Sequence, residues 1–371
     1  MPYYPDHTFI LGLTTIRRER RLPPGAIGHA TARDGTRVEA QDVVLTGSLP
    51  GDFIILDILE PLGLKKADQL TEEMINVEVG TTVEKGRVLA QNGKGRGARV
   101  LRAPVNALIA QVENGQMILQ INPDRIEIEA MCPGEITSVR GNTEVLLETV
   151  GALIQCAWGN GKRAYGPYKM EPDEGIESLS EDNLLTQLRN NAVIMTNPIQ
   201  SRKTFTVAAQ QEITALVAPS MNADLREIAL RQTIPIILTE GFGDLRMSDL
   251  VYNLLRDNLG RPAMYDAAEP QRWSSERPEI VIPLPYGGSL PPSPETDQPL
   301  VEGVLVRMMR APYTGMSGRV QRVVESPRAV ENGLRLPGAE VQLSDGRTVF
   351  VPLANLELLG RAADAPGTGR A

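Results

Sequence analysis

Residues able to do chemistry are few and unevenly placed. The chain has 371 residues but only two histidines, His7 and His29, and two cysteines, Cys132 and Cys156. Neither histidine has a nucleophile motif beside it, neither cysteine belongs to a C-x-x-C, and no His/Cys group has zinc-ligand spacing. Ser201 and Ser220 have no histidine in their own region to serve as base. This pattern leans away from an enzyme, and no cofactor or metal is expected. What remains is a polar set at the ends of apolar runs: Asn197 and Ser201, Ser220 and Asn222, then Glu240, Gly241, Gly243 and Asp244 within TEGFGD. A Gly-x-Gly at a strand-to-helix turn lets backbone N–H groups approach an anion. GFGDLR keeps only two of the three dinucleotide glycines, so a nicotinamide cofactor is not expected. The plain alternative is a tight turn in which Glu240 caps or pairs locally.

The elements that would position this set are legible. Short apolar runs at 192–195, 213–218 and 235–239 alternate with helical patterns at 201–211 and 222–232 and after Ser248, where Leu250, Val251, Leu254 and Leu255 recur. Buried strands separated by helices predict a parallel sheet covered on both faces, a Rossmann-like α/β domain over 184–282. Ligands in such sheets sit beyond the carboxyl ends of the strands, where the polar set falls. Before it, AWGNGKRAYGPY (157–168) reads as a structured loop with Trp158 as a packing lid. EPDEGIESLSED reads as an acidic connector and domain boundary.

The preceding 168 residues are β-rich, with an N-terminal region over 1–78 and a second domain over 79–168. Residues 8–15 read as an apolar strand, followed by Arg17, Arg18, Arg20 and Arg21, expected to contact nucleic acid or to lie on a solvated turn or strand edge. Asp34-Gly35 marks a hairpin. GTRVEAQDVVL and GTTVEKGRVLA share one strand–turn–strand pattern, as if a β unit occurred twice. Within 79–154, Ala103-Pro104 and Ile109 are echoed by Ala130, Pro133-Gly134 and Ile136. This stretch resembles the biotinyl/lipoyl-like barrel-sandwich hybrid. The resemblance implies a swinging carrier with one modified lysine in a Met-Lys-Met setting. Here GKGRG offers Lys94 and Arg96 without methionines, and Glu129-Ala130-Met131 runs into Cys132-Pro133 with no lysine. The expectation is a scaffold lacking the attachment site, with Lys94, Arg96, Arg99 and Arg102 on a basic hairpin that is solvated or meets phosphate.

Glu240-Gly241 after an apolar strand, with Asp244 following, is similar to the first motif of Toprim domains. That likeness implies magnesium held for phosphoryl transfer. The Asp-x-Asp it requires is missing, since PAMYDA offers Asp266 alone, and two βα units already precede Glu240.

PLPYGGSLPPSPETDQP, within 283–300, reads as a stiff Pro-rich linker. Beyond it, Gly303, Val306, Arg307, Pro312, Gly315, Gly318 and Val320, then EVQLSD and RTVFVP joined by Asp345-Gly346, resemble a KOW-type SH3-like barrel over 301–360. The resemblance implies partners among transcription-elongation and ribosomal assemblies. From 301 onward nine arginines and no lysine face seven acids. Arg307, Arg310, Arg319 and Arg322 on one face would contact phosphate or an acidic protein. Residues 361–371 are expected to be a disordered tail.

A net charge of −8 argues against wholesale coating of nucleic acid. No long apolar run or charged-then-apolar leader occurs, so the expectation is no membrane contact and a cytoplasmic location. The chain as a whole reads as a multidomain β plus α/β protein. Its expected role is a non-catalytic scaffold or adaptor with a protein or RNA partner. The rivals are a small-ligand or magnesium-dependent protein using the Glu240 loop, and a structural assembly protein.

Overall fold

The computed structural model describes residues 3–49, 51–93, 95–121, 125–179, 188–270, 276–295, 298–330, 333–343 and 345–360. They form a strand-rich chain around one large mixed sheet. Its spine is the first strand, His7–Arg21, antiparallel to Glu144–Gln155 from Ile10 opposite Ile154 to Arg21 opposite Glu144. At its start the same strand lies parallel to the strand Leu356–Gly360. The sheet therefore runs unbroken from an α/β layer on one side to the C-terminal strands on the other. The arginine cluster lies inside this spine, not at a turn. Strand alternation turns Arg18 and Arg20 inward, and Arg17 and Arg21 outward to Glu148 and Glu144.

The stretch 79–154, expected as one unit, divides. Phe53–Asp57, Thr82–Val83, Ala107–Glu113 and Gln116–Ile121 make a separate four-stranded sheet, with Val88–Asn92 and Arg99–Arg102 as a neighbouring pair. This sheet packs around its own core of Ile58, Leu62, Val83, Leu89, Ile109 and Leu119. Arg125–Glu129 then returns to pair with Val43–Ser48, and Gly134–Arg140 pairs with Glu144–Gln155 and Arg37–Val38. Residues 51–121 are thus inserted into a body built from 7–48 and 125–155. The two similar phrases adopt one local geometry: a two-residue strand, a turn closed by Asp42 N–H to Glu39 O or Arg87 N–H to Glu84 O (both 3.1 Å), and a longer strand.

In the α/β layer four strands run parallel: Arg163–Met170, Ala192–Ile194, Ala215–Met221 and Ile236–Phe242. The first of these occupies text expected to be a loop. Helices Lys203–Gln210 and Arg226–Leu230 follow the second and third strands, and Asp249–Asp257 follows the fourth. One core (Val193, Leu216, Phe205, Leu238) and a second (Ile194, Val217, Val251, Leu255) cover the sheet's two faces. Ile176 and Leu179 are buried in the first core, so the acidic stretch belongs to the layer rather than bounding it.

The Pro-rich segment is fastened to the spine. Thr14 and Thr15 hydroxyls donate to Pro292 O (2.7 Å) and Pro291 O (2.5 Å), and Leu300 is buried with its N–H on Tyr3 O (2.8 Å). Beyond it Leu305–Met308, Ser317–Ala329, Arg335–Leu343 and Thr348–Pro352 pair antiparallel in sequence order, and Leu356–Gly360 returns beside the first of them. The expected tail, 361–371, lies outside the described residues.

Candidate functional site

The carboxyl ends of the parallel strands bring most of the polar set together, and most of its members have an internal partner. Glu171 Oε1 accepts from the Thr196 N–H and hydroxyl (both 2.7 Å) and from Asn197 N–H (3.3 Å). Ser201 donates to Glu177 (2.8 Å) and accepts from Lys203 N–H (3.1 Å). The buried Ser220 hydroxyl bridges the turn after the fourth strand, within 2.9 Å of Gly243 O, Leu245 O and Leu245 N. Asn222 Oδ1 receives Asp224 N–H at 3.2 Å, capping a short turn. Gly241 and Gly243 have φ of 111° and 119°, a region that favours glycine, which lets the chain turn sharply back to Ser220. Asp244 is exposed at the tip.

Glu240 faces inward to another module. Its Oε2 sits 2.8 Å from Arg307 Nη1, and the two side chains are 3% and 5% exposed. Its Oε1 receives the Ser248 N–H at 3.1 Å, at the start of helix Asp249–Asp257. The other side of the Arg307 fork grips Glu357 Oε2 through Nε (2.9 Å) and Nη2 (2.6 Å). Glu357 Oε1 in turn accepts from the Thr8 hydroxyl and lies 3.3 Å from Arg277 Nη1. One largely buried ion cluster thus joins the fourth parallel strand, the C-terminal strands, the spine and the segment before Glu279–Pro283. Burial works against the Arg307 charge, but Glu357 and then Glu240 outweigh it and hold its pKa above the ordinary arginine value. Beside the cluster Cys156 is buried, and loss of solvent pushes its thiol strongly up, so it stays protonated. Thr239 Oγ1 and Ser248 Oγ are buried without a hydrogen-bond partner.

A second, half-buried charge layer lies where the spine meets the α/β layer. Arg18 forms a two-pronged pair with Glu279 (both contacts 2.5 Å), and Arg163 pairs with Asp266 at 2.8 Å. Arg20 is 3% exposed, and donates to Ala130 O (3.0 Å) and Met264 Sδ (2.9 Å). Burial, then the like charge of Arg163, lowers its pKa. Cys132 is buried here, and desolvation pushes its thiol up to about 11.

The expected basic face of the C-terminal strands loses Arg307 to the interior. Arg310, Arg319 and Arg322 are exposed; Arg319 donates to Gly303 O (3.1 Å) and Arg322 to Glu340 (3.0 Å). Lys94 lies outside the described residues. The backbone of Arg96 belongs to a short helical turn, Gly95–Gly97. Sequence reasoning missed the roles of Glu357, Glu279 and Arg20. The signal was present for two of them: Glu357 and Glu279 are lone charges inside apolar runs (LELLG, PEIVIP), where a charge survives burial only with a partner, whereas Arg20 stands among four other charges in RRERR and only strand alternation sets it apart. Among the described residues no group of three or more His, Cys, Asp or Glu side chains is placed to hold a metal, and no helix is long and apolar enough to cross a membrane. No family model matches the chain, and no curated protein matches its sequence.

Proposed function

We propose that this chain is a non-catalytic binding scaffold that docks through its C-terminal module on a nucleic-acid machine such as a polymerase or a ribosome. In this reading residues 7–155 hold two hybrid-type β units, one nested in the other and without a carrier lysine. Residues 163–266 are a Rossmann-like layer, and residues 301–360 are an SH3-like barrel of KOW type. The return of Leu356–Gly360 beside Leu305–Met308 supports a small closed barrel.

The single observation that carries the proposal is the Arg307 cluster. A module that swings or opens needs a wet, weakly held junction. Here the guanidinium is buried between carboxylates from two modules, and the spine strand continues the hydrogen bonding across the same boundary. Such a junction fixes the spacing between exposed surfaces, which is what an adaptor needs. The Glu240 loop gains no comparable support as a ligand site, because both carboxylate oxygens are engaged internally.

A tagged pull-down, split into nuclease-treated and untreated halves, tests the reading. Polymerase or ribosomal components are the expected co-purifying proteins. RNA recovered only without nuclease would mark an RNA-bridged contact, and partners surviving nuclease a direct protein contact. Recovery of the chain alone would overturn the proposal.

A further inference from the structure

The strand pair Val88–Asn92 and Arg99–Arg102 stands in the most one-sided charge run of the chain. Between Glu84 and Glu113 the sequence has six cations and no acid, although the whole chain carries a net charge of −8. Leu89, Ala90 and Leu101 turn into the core of the inserted unit, so the pair is anchored while its charged side chains stay in solvent. Two sets of contacts gather cations at its two ends. Arg102 Nη1 donates to Gly86 O (2.9 Å), between Lys85 and Arg87. At the other end Asn92 donates to Leu62 O (3.0 Å), and Arg99 lies against Gly63, where a Cβ would stand 1.6 Å from its Nη1. Lys65 and Lys66 follow that glycine after one residue. Arg99 and Arg102 are about 10 Å apart along their strand at the usual rise per residue.

All six side chains, Lys65, Lys66, Lys85, Arg87, Arg99 and Arg102, are exposed. Among the described residues none of them forms an ion pair, and neither do the acids nearest in the chain, Glu60, Asp68 and Glu84. Exposed arginines elsewhere behave differently: Arg17, Arg140, Arg189 and Arg347 are each turned onto a carboxylate at 2.6–3.2 Å. The chemistry of the face selects its partner. Neither strand exposes an aromatic ring or a large aliphatic side chain, so unpaired bases find no stacking platform, and a protein or a bilayer finds no apolar anchor. A base-paired nucleic acid needs neither. It presents a regular line of phosphates with its bases turned inward, and cations that bind it release condensed counterions. We infer that this face binds the phosphate backbone of duplex nucleic acid, with Lys85, Arg87 and Arg102 taking phosphates at one end and Lys65, Lys66 and Arg99 at the other. Contact through phosphate alone carries no sequence information, so duplexes of RNA and DNA are bound alike. The face belongs to the inserted unit rather than to the C-terminal strands, and the inference does not rest on docking through that module.

Fluorescence anisotropy of the full chain with short fluorescein-labelled RNA and DNA duplexes tests it. Both should bind, and unlabelled duplex of unrelated sequence should displace them. Affinity should fall steeply with salt, with a log–log slope of about −5 for five or six phosphate contacts. Lys65→Ala with Lys66→Ala, and Lys85→Ala with Arg87→Ala, should each weaken both duplexes about tenfold or more and reduce the slope by about 2. These side chains make no hydrogen bond or ion pair among the described residues, so both double variants should melt as wild type does. Arg310→Ala, on the C-terminal side, should bind like wild type. Absence of duplex binding, a salt slope near zero, or equal affinity in wild type and both double variants would overturn the inference. Tighter binding of oligouridylate, polyglutamate or phosphatidylserine vesicles than of duplex would overturn it too. The two readings fail separately. Duplex binding lost in the double variants, with no polymerase or ribosomal component in the pull-down, would keep this face and remove the docking reading; components captured without any duplex binding would do the reverse.

Discussion

Replacing Arg307 by alanine leaves Glu240 and Glu357 buried beside each other without their shared cation. Removing one partner of a buried pair costs about 3–5 kcal/mol, mostly through the charge left behind. Denaturant unfolding should show a loss of that size for Arg307→Ala. Arg307→Lys should recover only part of it, because a point charge cannot serve both Glu240 Oε2 and Glu357 Oε2 as the planar fork does. The same experiment bears on the rival use of Glu240: a magnesium-dependent activity lost in Glu240→Gln would favour it, whereas the account here expects a change in stability alone. Cys132 gives a prediction in pH. Its thiol is held protonated up to about 11 by burial, against about 9 in an unfolded chain. Below the lower value both states are protonated and the group is neutral to stability. Between the two values only the unfolded chain releases its proton, so stability falls as pH rises. Wild type should therefore lose about 2–3 kcal/mol more than Cys132→Ala across that alkaline window, measured by urea unfolding at each pH. At neutral pH neither Cys132 nor Cys156 should react with a thiol reagent until the protein unfolds.

At the scale of elements, two positions hold strands together and can be tested singly. Gly151 stands where the spine, Glu144–Gln155 and Glu279–Pro283 meet, opposite Thr14 and Pro283. A Cβ there would lie 2.1 Å from Ile282 O, so Gly151→Ala must push two central strands apart. A loss of about 2–3 kcal/mol in unfolding free energy is expected. Asn160 is 4% exposed and ties three backbone groups, donating to Ala229 O (3.0 Å) and Ile234 O (2.9 Å) and accepting Ile236 N–H (3.0 Å). Asn160→Ala should cost about 3 kcal/mol by stranding them. The short apolar runs made the α/β elements readable, because the stretches 192–194, 215–218 and 236–238 are continuously apolar and buried at every position. The strand Arg163–Met170 was hidden. RAYGPYKM carries a glycine, a proline and two basic residues, which read as loop, and tertiary burial of Tyr168 overrides that propensity. The nesting of residues 51–121 was equally hidden, since two β units of similar composition give no local mark of which strand returns to which sheet.

Across the whole molecule the account is of one body. A chain read from sequence as modules on a Pro-rich tether has that tether hydrogen-bonded to the spine, and the last strand among its described residues pairs with the first. No spacing in the sequence joins Arg307 to Glu240; what was legible was only that a charge in GVLVRMM needs a partner. Native-state hydrogen exchange tests the claim most directly. The amides of His7–Phe9, Ile236–Phe242 and Leu356–Gly360 lie far apart in the chain but belong to one hydrogen-bonded sheet and one ion cluster. They should exchange with similar protection in wild type and lose it together in Arg307→Ala. Leu356–Gly360 exchanging far faster than the other two in wild type, or Arg307→Ala releasing the C-terminal strands alone, would show a tethered module and contradict the account.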